Sequence, residues 1–438
     1  MSDKKSTNGF TGRRVVVTGM GAVTCLGLGW KENWEGMKAG RSGIKKISVF
    51  DAACFPTRIA GEVTGFPFES WKTKEPALEQ AGRGTFFALA SADEAMADAG
   101  LSKGAGDPER FGIYFGAGDS GHDFESFAEC VSQAISTDEN SLVDKAHYIE
   151  FAGRLQSARR ELEIQPFMTV THLAARYGIE GPASNCLTAC AASSQAIGEA
   201  FEQIRRGDAD VMMTGGSHSL LHPLGLTGFS LLTALSTRND SPQTASRPFD
   251  KTRDGFILAE GAGVLILEEL SHALARGAVI YGEITGYGAT SDAYRLTDMD
   301  PEGKGARRAV EIALKKASLS PADVDYISAH GTATKVNDVI ETRVVKGLFG
   351  EKVPPMSSIK SMLGHMVAAA GAVEFMSCLG AIRDSIIPPT INLNEPDPEC
   401  DLDYVPREAR KHSVKTAISN SFGFGGQNIC LTVEKYES

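Results

Sequence analysis

Cys190, His330 and His365 are the residues of this chain whose types and settings point to chemistry. Cys190 stands in T-A-C-A-A-S (188–193), where a short apolar run passes directly into a helical pattern. A helix start presents unpaired N–H groups and partial positive charge, and both favour thiolate over thiol. Ala189, Ala191, Ala192 and Ser193 surround the sulfur with little bulk, so an acyl chain or a second backbone can approach it. His330 lies in A-H-G-T-A-T (329–334) and His365 in K-S-M-L-G-H (360–365). One activated Cys and two distant His, each in a Gly-bearing setting, fit acyl transfer to sulfur followed by carbon–carbon chemistry.

Each residue also has a plainer reading. A Cys at a helix start is, taken alone, more often a small core residue than a nucleophile. A lone His before a helix is usually a satisfied loop residue. The combination shifts the balance, because His330 follows the apolar run Y-I-S-A (326–329) and so sits at a strand's C-terminal end, where α/β sites gather. Thr332 and Thr334 offer hydroxyls to a polar ligand arm, while Lys360 and His365 precede an Ala-rich helix. N-S-F-G-F-G-G (420–426) sets Phe422 and Phe424 among glycines, as a turn with core Phe or as one whose N–H groups face an oxyanion. G-M-G-A-V-T (19–24) follows a strand, but Thr24 replaces the third Gly of a dinucleotide fingerprint, so a plain strand-to-loop turn is expected.

The elements that must hold these residues alternate as in α/β architecture. Strands are expected at 14–19, 111–116 and 211–216, and a helix over 86–100 closed by Gly100. After the strand 261–269 the cycle restarts at 281–288, with a helix over 305–317 and a strand at 325–329. Helices over 337–347 and 366–384 and strands at 414–419 and 429–434 finish the chain. The openings V-V-V-T-G-M-G (15–21) and E-I-T-G-Y-G (283–288) look like equivalent starts of two related halves, divided here as 13–260 and 261–438. A charged segment at about 120–170 reads as a surface excursion capping the first half.

The net charge of −11 disfavours nucleic acid, which a basic stripe would serve. No run of 18 apolar residues and no leader pattern is present, so membrane spanning and export are not expected. The eight cysteines form no C-x-x-C pair and read as reduced thiols of a cytoplasmic protein. Cys186 and Cys190 have no His or second Cys pair nearby, so no metal is expected.

The motifs together resemble those of a β-ketoacyl-(acyl carrier protein) synthase, closest to the KAS II type of elongating ketosynthase in the thiolase superfamily. The likeness runs from about residue 13 to the C-terminus. To those above it adds L-S-T-R-N-D (235–240), R-P-F-D-K-T-R-D-G-F-I-L-A-E-G-A-G (247–263) and P-P-T-I-N-L (388–393). It implies a five-layered αβαβα sandwich of two duplicated halves, and a homodimer. By the same resemblance Cys190 is acylated, and His330 and His365 assist decarboxylation of a malonyl extender. Lys360 gives electrostatic support and pairs with Glu341. Backbone N–H groups of Cys190 and Phe424 form the oxyanion hole with Phe424 as gate, and Thr332 and Thr334 hold a phosphopantetheine arm. No cofactor is implied beyond that arm, which enters with its acyl carrier protein partner.

Some positions depart from the family's usual pattern. Asp119 stands at the expected acyl-tunnel gate, where an unpaired carboxylate is costly to bury. The basic docking surface is thin: Arg83 is present, Thr233 stands where Arg is common, and Arg154, Arg159 and Arg160 are substitutes. Lys335 replaces a frequent Pro, Gln427 a frequent Thr, and residues 163–172 depart from the family's dimer-interface stretch. The expected activity is therefore decarboxylative condensation in fatty-acid elongation, with a type II polyketide or specialised-lipid ketosynthase as the alternative. A non-catalytic chain-length partner and a degradative thiolase fit less well. The first would lack the nucleophile, and the second needs another catalytic Cys motif near the C-terminus.

Overall fold

The computed structural model describes residues 12–104, 106–118, 124–136 and 142–437. Ten strands form the main sheet: β1 (Val15–Val23), β2 (Phe111–Ala117), β3 (Ala183–Cys186), β4 (Val211–His218), β5 (Gly261–Glu269), β6 (Gly282–Ser291), β7 (Tyr326–Ser328), β8 (Met356–Ser357), β9 (Thr416–Gly423) and β10 (Gln427–Glu434). Their order is β8-β7-β9-β10-β6-β1-β5-β4-β2-β3. Every residue of β1, β4, β5 and β9 is buried. Strands covered on both faces must carry near-continuous small and apolar residues, which is why these segments read as unbroken runs.

The order repeats. β1-β5-β4-β2-β3 and β6-β10-β9-β7-β8 have the same succession of pairings: antiparallel, antiparallel, parallel, parallel. The two sets meet at the antiparallel β1–β6 pair. A division at 260/261 falls just before β5, which pairs on one side with β1 and on the other with β4. The sheet thus groups β5 with the strands that precede it.

Five helices fix the layers: α1 (Arg83–Asp98), α2 (Ala192–Arg206), α3 (Lys304–Ala317), α4 (Lys335–Phe349) and α5 (Ala370–Asp384). α1 covers β1, β5 and β4, and α3 covers β6 and β10. Between the two sets lie α2 and α5, each touching strands of both. Small residues permit that approach. A Cβ on Gly116 would stand 2.6 Å from Ser193 N, and one on Gly216 2.7 Å from Ala368 O. The result is the thiolase-like α/β sandwich that the motifs imply.

Several bounds differ from the expected ones for local reasons. The Ala-rich helix begins at Ala370, because residues Val367–Ala369 form a 3-10 turn entered at Val367 with φ +45°. α4 starts earlier than expected, with Thr334 accepting the N–H of Asn337 as its cap and Lys335 at the first helical position. β9 and β10 reach further into the Gly-rich stretch, which pairs Asn420 with Cys430 and Phe422 with Asn428 and leaves a tight turn at 424–426. The 120–170 excursion contains the helices Phe124–Gln133, Lys145–Leu155 and Ala158–Glu163. The next helix, Pro166–Tyr177, packs on α1, β2 and β3. Among the described residues no helix is long and apolar enough to cross a membrane.

Candidate active site

Cys190 lies in the 3-10 turn Ala189–Ala191 that links β3 to α2, one turn before the helix proper. Ala189 enters the turn at φ +46°, a left-handed conformation that a side-chain-bearing residue adopts at a cost. The turn aims the sulfur at the Gly-rich β9–β10 turn. Backbone N–H groups of Phe424 and of Cys190 itself draw the thiol pKa down, but burial outweighs them and pushes it up to about 11. The same burial outweighs the pull of the helix start toward thiolate. The helix start is present, yet a sulfur only 7% exposed loses more from desolvation than it gains.

This has a direct consequence for labelling. Below its pKa a thiol's alkylation rate follows its thiolate fraction, so Cys190 carboxamidomethylation rises about tenfold per pH unit from about pH 7 to about pH 9. Iodoacetamide kinetics read by peptide mass spectrometry check this. A plateau near pH 8 would place the thiol pKa far below the value burial dictates.

His330 follows β7, and its position is set by backbone. Glu341 on α4 accepts the N–H of His330 at 2.8 Å and of Gly331 at 2.8 Å. Burial pushes the Glu341 carboxyl up to about 7, while those two N–H groups oppose it. Lys360 donates to the His330 carbonyl at 2.6 Å, and its Nζ lies 3.4 Å from His330 Nδ1. The anionic partner of Lys360 is Glu374 on α5, not Glu341. Glu341 is already committed to the His330 loop, whereas α5 runs directly past the ammonium. Sequence reading missed Glu374, though it is the only acid in the fully buried stretch 370–382.

His365 and His330 stand edge to face, ring centroids 5.6 Å apart. Burial, then the Lys360 charge, hold both imidazoles well below the usual histidine range, so both are neutral at physiological pH. The His365 backbone is clamped, its N–H donating to Ile257 O at 2.7 Å and its carbonyl accepting from Ala259 N at 3.0 Å. Among the described residues neither ring nitrogen of His365 has a hydrogen-bond partner, and both are buried. Such orphaned groups are rare in native proteins unless a ligand completes them.

One cavity collects Cys190, His330, His365, Thr332, Thr334, Phe422 and Phe424. The Thr332 and Thr334 hydroxyls lie 3.0 Å apart on its wall. Phe422 is buried 5.8 Å from the His330 ring, and Phe424 is half-buried in the turn. Phe256, which the sequence did not single out, sets its ring edge-on to His365 at 5.2 Å. Asn337 and Met299 also line the space. Asp119 lies outside the described residues.

The cations considered for carrier docking are mostly engaged. Arg83 forks onto buried Glu260, with Nε donating at 2.9 Å. Arg159 donates to Ala77 O at 2.9 Å, and Arg154 pairs with Glu150 on an exposed helix face.

Comparisons with known proteins agree with this geometry. The chain matches the β-ketoacyl synthase N-terminal domain family over residues 12–273 and the C-terminal domain family over residues 281–394. The 3-oxoacyl-[acyl-carrier-protein] synthase 2 of Synechocystis sp. is 42% identical over 435 residues, spanning 97% of this chain and 99% of its own. That of Staphylococcus aureus (strain COL) is 41% identical over 428 residues, with the same coverage. Among solved structures, a type II PKS acyl-carrier protein in complex with its ketosynthase bound to the hexaketide superposes with a TM-score of 0.86 at 36% identity. It covers 97% of this chain and 100% of that one. A β-ketoacyl synthase from Burkholderia phymatum gives a TM-score of 0.86 at 34% identity, with the same coverage.

Proposed function

The chain belongs to the β-ketoacyl synthase family, and from that premise we propose how its cavity performs 3-oxoacyl-(acyl carrier protein) synthesis in fatty-acid elongation. An acyl-carrier thioester enters past Phe424. The Cys190 sulfur attacks its carbonyl, loses its proton to the departing carrier thiol, and becomes the acyl-enzyme. Malonyl-carrier then sheds its carboxylate as carbon dioxide, leaving an enolate. His330 and His365, both neutral, donate N–H bonds to the enolate oxygen as its charge develops. The enolate carbon attacks the acyl-Cys carbonyl, whose oxyanion meets the N–H groups of Cys190 and Phe424. Collapse expels the Cys190 thiolate, which takes up a proton, and the 3-oxoacyl carrier leaves.

The observation that carries this reading is the convergence of one sulfur, two neutral imidazoles and the two backbone N–H groups in one cavity. Thr332 and Thr334 suit the phosphopantetheine arm, and no other cofactor enters the scheme. We place the enzyme in the cytoplasm as a homodimer served by an acyl carrier protein. The sheet edge at β3, with Ala183 and Ser184 exposed and Leu187 61% exposed beyond it, supports pairing with a second copy.

A second reading, condensation on an oxygenated chain in a polyketide or specialised-lipid pathway, draws on the likeness to a ketosynthase bound to a hexaketide and on Asp119. Intact-mass measurement after incubation with a panel of saturated and 3-oxo acyl-carrier thioesters separates the two. Saturated adducts on Cys190 support elongation, and adducts confined to oxygenated chains support the second. No adduct from any donor would refute both.

A further inference from the structure

A third buried histidine stands behind the His365 turn. His218 ends β4, is 4% exposed, and its Nδ1 accepts the backbone N–H of Ala368 at 3.3 Å. Ala368 is the middle residue of the Val367–Ala369 turn, which begins two residues after His365. A β-branched residue at φ +45° is strained, and such a conformation persists only where its surroundings over-determine it.

The two halves brace each other in the same way. Gly423, the last residue of β9, lies against the nucleophile turn, where a Cβ would stand 3.1 Å from Thr188 O and 3.4 Å from Cys190 N. His218, the last residue of β4, lies against the corresponding turn of the second half. One brace is bare backbone; the other is an imidazole. The ring has little freedom, since a Cβ on Gly118 would come within 2.6 Å of its Nε2. Burial, aided by His222 and opposed by the Met366 backbone, pushes His218 down to about 4, so its Nδ1 lone pair is available at neutral pH.

His365 makes no side-chain hydrogen bond among the described residues, so its aim depends on the backbone to either side. Ile257 and Ala259 hold its own N–H and carbonyl, which leaves the turn that follows. We infer that His218 is a positioning residue for decarboxylation, holding the following side through the Ala368 N–H and so directing His365 into the cavity. The inference rests on the condensation reading above and adds a residue that acts on one half-reaction only.

The test uses the full chain and follows two steps separately: Cys190 acylation by intact mass, and carbon dioxide release from carboxylate-labelled malonyl-carrier. His218→Ala is expected to slow carbon dioxide release by about 10–100-fold, the cost of a misplaced catalytic group. Acylation of Cys190 stays near the wild-type rate. In His218→Asn the amide oxygen replaces Nδ1 as acceptor and most of the release rate returns. Thermal midpoints of both variants accompany the rates. Unchanged release in a folded His218→Ala would overturn the assignment, as would equal loss of both steps, or an Asn variant no better than Ala. Wild-type protein that neither acylates nor releases carbon dioxide would count against the condensation reading itself.

Discussion

Cys190→Ala abolishes the acyl-enzyme and lowers 3-oxoacyl formation by about 10⁴-fold or more, the scale on which losing a nucleophile leaves only binding and oxyanion stabilisation. The fold should tolerate the change. The sulfur is buried in one apolar cluster with Phe256 and Val367, and the Ala side chain fits the same turn with one atom fewer. His330 and His365 take none of their placement from the sulfur: Glu341, Lys360 and the 257–259 backbone hold them. Malonyl-carrier decarboxylation should therefore survive where condensation does not. Intact mass, product analysis and carbon dioxide release measured on the same preparation resolve the three steps. Retained 3-oxoacyl synthesis in Cys190→Ala would dismiss the sulfur as nucleophile.

The chemistry of this chain was legible wherever it demands a residue type at a fixed turn. Cys190, His330 and His365 each stand next to small residues at the end of a strand or the start of a helix, and the fold brings all three into one cavity. The repeat of halves was legible too, because β1 and β6 open with the same strand–Gly pattern. Tertiary quantities were not. No spacing reveals that the Cys190 turn is buried deeply enough to keep its thiol protonated. Nor could local sequence decide which acid meets Lys360, since Glu341 and Glu374 are both buried helix residues and only the packing of α5 beside the loop selects the second. His218 escaped notice because a lone His after G-G-S in a strand resembles any satisfied core residue. Its significance arises from a turn 150 residues away, across the two halves.

Glu374→Leu is the substitution expected to cost most in stability. It leaves the Lys360 ammonium, 2% exposed, without its counter-ion, and breaking one side of a buried pair typically costs about 3–5 kcal/mol. Urea unfolding measures this directly. Burial pushes the Glu374 carboxyl upward and the Lys360 charge opposes it. An apolar pair of similar volume is often as stable as the ions it replaces. Lys360→Met combined with Glu374→Leu is therefore expected to recover most of the lost stability. It should not recover activity, because Lys360 also donates to the His330 carbonyl and stands 3.4 Å from its Nδ1. Without the ammonium that nitrogen loses its charged neighbour, and the His330 ring loses the field that favours donating its other N–H toward an enolate. A double variant as stable and as active as wild type would reduce the pair to packing. A stable but inactive one would show that this fold keeps two buried charges for the chemistry at His330 and not for its own cohesion.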